Sequence, residues 1–152
     1  MKGFGNEFNH NKHSKNSTFK KMVDIALALH AKGDTDKAMY HYKQIIRAGI
    51  EDPRVYSALG FIALQNSEIE KAIKLNLKSI SINPTYAPGY LNLGVIYCQI
   101  GNLDKAEKNT REAIKLEPKN IQSILNLGEI LIKMLRLNEA EKEVKKAIDL
   151  EP

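Results

Sequence analysis

Apolar side chains along this chain fall at helical spacing, in paired stretches separated by turn residues. Near the middle, Leu93, Ile96, Tyr97 and Ile100 share one helical face, and Leu103, Ala106, Ala113, Ile114 and Leu116 share the next. Gly101-Asn102 interrupts the pattern between them. A glycine there closes the first helix in the left-handed conformation, and Asn102 or Asp104 opens the second. Pro118 ends that second helix and turns the chain. The spacing therefore predicts two helices of about 14 residues joined by a tight turn.

The same pattern returns every 34 residues without insertion or deletion. Ala38, Ala72, Ala106 and Ala140 keep the step, as do Ile46, Ile80, Ile114 and Ile148, and Pro84, Pro118 and Pro152. Gly60, Gly94 and Gly128 keep it too, each preceded by a leucine, with Ile25-Ala26 one period earlier. A fixed period of this length predicts a stacked repeat architecture. One copy cannot bury its apolar face alone, so neighbours stack into a continuous core.

These columns resemble those of the tetratricopeptide repeat. The copy at 87–120 carries Tyr90, Leu93-Gly94, Tyr97, Gly101, Ala106, Ala113 and Pro118 at the signature positions. The likeness extends over 19–152 in windows 19–52, 53–86, 87–120 and 121–152, and implies an all-α, right-handed superhelical solenoid of four repeats. The copies differ in detail. Met22 and Ile50 replace the usual aromatic and proline in the first, and Ser67 and Leu135 replace the turn glycine in the second and fourth.

Composition excludes several classes of function. The chain has 152 residues, 43% hydrophobic and 27% charged, as expected of a soluble domain. No apolar run is long enough to span a membrane, and no secretory signal opens the chain, so the reading is cytoplasmic. The single cysteine, Cys98, excludes a disulfide framework and reads as an apolar filler. Residues 1–21 hold Lys2, Lys12, Lys15, Lys20 and Lys21 against Glu7, which is nearly all of the net charge of +5. The repeats thus lack the basic excess of a nucleic-acid-binding surface.

Residues 1–18 read as a flexible basic leader, too poor in apolar groups to offset the entropy of ordering. His10 and His13 have no third ligand nearby, so no metal site is expected, and no cofactor motif occurs. Nucleophile elbows, HExxH and phosphate loops are absent as well, so the chain reads as no enzyme.

The resemblance places the binding surface on the first helix of each pair, which lines the inner groove in this family. From the first copy it implies Lys20, Val23, Asp24, Leu27 and His30, and from the second Arg54, Ser57, Ala58, Phe61 and Gln65. Leu91, Asn92, Val95 and Gln99 follow from the third copy, and Gln122, Leu125, Asn126, Glu129 and Lys133 from the fourth. The Lys/Asn/Arg clamp of chaperone-binding repeats is not reproduced, since Val23 and Leu27 stand at its inner positions. Leu91-Asn92-Leu93-Gly94 and Leu125-Asn126-Leu127-Gly128 are instead similar to the repeats of O-linked N-acetylglucosamine transferase and related bacterial proteins. There, asparagines along the groove bond the backbone of a bound peptide.

The reading that follows is a non-catalytic scaffold that binds a peptide or protein segment in the concave groove. Its alternative is the recruiting array of a longer, glycosyltransferase- or sulfotransferase-like enzyme. Ala140, Val144, Ala147 and Ile148 on the last helix would have no following repeat to cover them, which predicts self-association there or fraying of residues 138–152.

Overall fold

The computed structural model describes residues 7–150, with side chains from Thr18 onward. All of the regular structure among them is α-helical: α1 (Glu7–Ala31), α2 (Thr35–Arg47), α3 (Pro53–Gln65), α4 (Ile69–Ile82), α5 (Ala87–Gln99), α6 (Leu103–Leu116), α7 (Ile121–Lys133) and α8 (Leu137–Leu150). From α3 onward each helix starts 34 residues before its counterpart in the next pair. The periodicity of the side chains is thus the periodicity of the backbone. The helices form two compact units, Met1–Val55 and Tyr56–Pro152.

All four turns within pairs share one geometry, although only two have glycine. Gly33, Ser67, Gly101 and Leu135 take φ of 83°, 62°, 76° and 60°. At each, the next residue's N–H reaches back over the helix end: Asp34 to the Leu29 carbonyl, Glu68 to Ala63, Asn102 to Tyr97 and Arg136 to Leu131, at 2.8–3.0 Å. This double-bonded ending satisfies carbonyls the helix leaves open. Asn102 then caps α6 by accepting from the Lys105 N–H at 3.2 Å, and Asn120 caps α7 through the Ser123 N–H at 3.0 Å.

In the first unit, α1 and α2 pack through Val23, Ala26, Ala38, Tyr42 and Ile45, all buried. Residues 1–6 of the expected leader lie outside the described residues. From Glu7 the backbone already belongs to α1, and no glycine or proline interrupts it before Ala31. The first pair ends at Gly49, φ 72°, where the later pairs have proline turns.

In the second unit, α4 packs on α5, α5 on α6, α6 on α7 and α7 on α8, with α5 also touching α7. Ala72, Ala106 and Ala140 are buried at the contact of the two helices in each pair. The facing glycines are there for space. A Cβ on Gly94 would stand 2.2 Å from Thr110 Oγ1, and one on Gly60 2.2 Å from Asn76 Nδ2. On α8 the expected open apolar face is mostly covered. Ala140 and Ala147 are buried and Val144 is partly buried beside Gly128, because these are the positions that turn toward α7. Ile148 alone of the four stands out, at 61% exposure.

Candidate ligand groove

The first helices of successive pairs in the second unit carry the candidate residues. Between α5 and α7 lies a cavity of about 270 Å³ lined by Val95, Cys98, Gln99, Asn126, Glu129, Ile130 and Lys133. Five of these come from the family register, and Cys98 and Ile130 were not among the expected residues. Cys98 borders the cavity because it is half-buried at the α5 edge, where the sequence pattern reads only a small apolar position. Its Sγ receives a contact from Lys133 Nζ at 3.5 Å, and Lys133 also pairs with Glu129 at 2.9 Å. Hydrogen bonding to Glu129, then to the thiol, pushes the Lys133 ammonium above its ordinary pKa.

The remaining candidates of this unit line the same helices with graded exposure. Leu91 is half-buried, Gln122 is exposed and Leu125 is 41% exposed. On α3, Gln65 is exposed and Phe61, one period before Val95, is 42% exposed. Ser57 is buried and does not line a surface.

The two asparagines differ. Asn92 Nδ2 donates to the Ser57 carbonyl at 3.3 Å, to Ser57 Oγ at 3.0 Å and to Asn76 Oδ1 at 3.1 Å. Asn76 in turn donates to the Ala72 carbonyl at 2.9 Å. A backbone carbonyl is only an acceptor, so the amide nitrogen of Asn92 must face this seam. Its NH₂ therefore joins three helices of the fold, where the register alone had it facing a ligand. Asn126 has no such neighbours, and its Oδ1 accepts from the exposed Gln122 Nε2 at 2.8 Å.

In the first unit the candidate cation is already neutralised. Arg54 bonds Asp52 through Nε at 3.0 Å and Nη2 at 2.7 Å, and Asp24 through Nη1 at 2.8 Å. Asp52 first, then Asp24, raises the guanidinium pKa still further, so Arg54 stays charged and paired. Val23 is buried rather than on a wall, and His30 Nδ1 lies 3.4 Å from the Tyr42 hydroxyl.

Chemically, the cavity offers amides, a thiol, one ion pair and apolar surface. Among the described residues, no cluster of three His, Cys, Asp or Glu could hold a metal, and no helix is long and apolar enough to cross a membrane. A volume of about 270 Å³ lies just below the roughly 300–1,000 Å³ typical of small-molecule sites, and suits one or two side chains.

No curated protein matches the sequence. Among solved structures, MamA is similar over 95% of this chain and 84% of its own, at 22% identity and a TM-score of 0.74. Pseudomonas aeruginosa pilF is similar over 91% of this chain and 63% of its own, at 17% identity and a TM-score of 0.80. TTC0263, a thermophilic TPR protein of Thermus thermophilus, is similar over 88% and 74%, at 20% identity and a TM-score of 0.75. Identities this low carry the fold and nothing finer. Family models for the tetratricopeptide repeat match residues 87–120 and 121–152. These windows hold the helix pairs α5–α6 and α7–α8, so the third and fourth pairs of this chain are tetratricopeptide repeats.

Proposed function

We propose that this chain is a non-catalytic protein-interaction scaffold that holds a segment of its partner against α5 and α7. The observation that carries the reading is the cavity between those helices, flanked by an exposed Leu125 and by the amides of Gln99, Gln122 and Asn126. Apolar surface beside side chains that both donate and accept suits an extended or helical peptide. The likeness of residues 125–128 to the repeats of O-linked N-acetylglucosamine transferase supports Asn126 as a ligand to peptide backbone. The fold shared with MamA and with TTC0263 supports a repeat scaffold in general.

Affinity capture with mass spectrometry tests the reading, run in parallel with Gln99→Trp. Gln99 is exposed and borders the cavity, so an indole there covers the opening without disturbing the core. Partners that use the groove disappear with the variant. Full retention of every partner would sink the proposal.

A further inference from the structure

We infer that the segment held between α5 and α7 is uncharged, with an aliphatic or aromatic side chain seated in the cavity; this rests on the groove reading above. The reasoning starts from where the charges are. α5 has none, residues 56–65 of α3 have none, and α7 has only Glu129 and Lys133. By contrast, α6 and α8 carry seven charged residues each. Burial explains part of the difference but not the exposed positions. Gln65, Gln99, Gln122 and Leu125 stand where a lysine or glutamate would cost the fold nothing.

The one ion pair is closed on itself. Lys133 lies 2.9 Å from Glu129 on the same helix and touches Cys98, so the wall offers no net charge to an incoming group. A carboxylate or ammonium entering the cavity would lose hydration against Val95 and Ile130, and would gain a counter-ion only by breaking the Glu129–Lys133 pair. A neutral backbone is better matched. With its NH₂ fixed in the helix seam, Asn92 keeps Oδ1 as an acceptor that nothing among the described residues engages. Asn126 bonds only Gln122, amide to amide, and the other end of its amide has no partner among the described residues. An amide oxygen on Asn92 and an amide end on Asn126, a repeat apart, suit the neutral N–H and C=O groups of a peptide chain.

A phage-displayed random peptide library panned on the full chain tests this. Enriched peptides should share an apolar residue within an uncharged stretch. Their affinity should change by less than about twofold between roughly 50 and 500 mM NaCl, since no charge pair is there to be screened. Leu125→Lys, at an exposed position, should weaken them at least about tenfold by replacing an apolar contact with a charged side chain, with the circular-dichroism melt unchanged. Gln99→Trp should block them. Enriched peptides that are acidic or basic, lose affinity about tenfold with salt and are still blocked by Gln99→Trp would overturn the uncharged class and leave the groove in place. No enrichment, or enriched peptides indifferent to Gln99→Trp, would overturn the groove reading and this inference together.

Discussion

Replacing each of the three aligned glycines by alanine should give three different answers, because the space opposite them differs. Alanine is favoured over glycine in a helix interior by about 1 kcal/mol, so open space would make every replacement stabilising. At Gly60 the new Cβ would meet Asn76 Nδ2 at 2.2 Å and Cγ at 2.8 Å. Asn76 is fully buried and hydrogen-bonded to Ala72 and Asn92, so it cannot swing away without breaking those bonds. Overpacking of about 1–3 kcal/mol and a strained or lost hydrogen bond of about 1 kcal/mol outweigh the helix gain. Gly60→Ala should therefore cost roughly 1–3 kcal/mol.

At Gly94 the clash is with Thr110 Oγ1, also at 2.2 Å, but that hydroxyl makes no hydrogen bond and can rotate at smaller cost. A loss of about 1 kcal/mol is expected. At Gly128 the nearest atom is Val144 Cγ2 at 3.1 Å, on a side chain of α8 that is only partly buried and has room to shift. There the helix gain should win or break even. Urea unfolding of the three variants reads the order directly, and Gly94→Ala/Thr110→Ala should recover most of the Gly94→Ala loss. Equal costs at all three sites, or no recovery in the double variant, would refute the assignment of these glycines to a steric contact.

Four further outcomes are expected. Asn92→Ala should destabilise the fold by about 1–3 kcal/mol, because Asn76 Oδ1 and the Ser57 carbonyl lose a donor in the seam, whereas Asn126→Ala should leave the melting temperature unchanged and weaken a groove ligand. Thr110→Val should stabilise by about 1 kcal/mol in chemical denaturation, since it removes a buried hydroxyl without a partner, and the fourth pair already has Val144 at this position. Leu135→Gly should gain roughly 0.5–1 kcal/mol in the same assay, the relief of a left-handed leucine less the entropy of glycine; Leu135 is 83% exposed, so no packing is lost. Burial holds the His30 imidazole below its ordinary pKa, so the unfolded chain binds the extra proton. The stability this contributes is present above the ordinary value and is lost as pH falls through the folded one; His30→Gln should flatten that part of a melting-temperature profile against pH.

Much of the fold was open to reading because the constraints that make it are periodic. The alanine and glycine columns recur at 34 residues, since each marks the same helix contact, and the structure buries every alanine of the set. Ser67 and Leu135 show what a single copy hides. Neither residue favours positive φ, and only the step from Gly33 and Gly101 places a left-handed turn there. The face of α8 departs from its pattern for a related reason. Counting apolar positions treats Ala140, Val144, Ala147 and Ile148 alike, while the small ones are small because α7 lies against them. The charge-free face of α5 was equally legible in the sequence, although net charge per chain conceals it and charge per helix displays it.

The candidate site was legible in register but not in chemistry, and the two asparagines show why. Asn92 and Asn126 hold the same column, yet what each amide does is decided by residues 35 and 16 positions earlier. Before Asn92 these are Ser57 and Asn76, whose side chains add two acceptors to the Ser57 carbonyl and draw its NH₂ into the helix seam. Before Asn126 they are Leu91, whose side chain accepts nothing, and Thr110, whose hydroxyl is buried against Gly94. Asn76 itself fits only because Gly60 has no side chain to exclude it. A family column carries a position from one repeat to the next; the hydrogen-bonding role depends on the neighbours that the position meets. Exchanging the neighbours should therefore exchange the roles. Ser57→Leu with Asn76→Thr gives Asn92 the surroundings that Asn126 has now. Its amide should then turn out of the seam, so that a further Asn92→Ala costs little stability. If Asn92→Ala remains as destabilising on that background as alone, the seam bonds do not govern the amide.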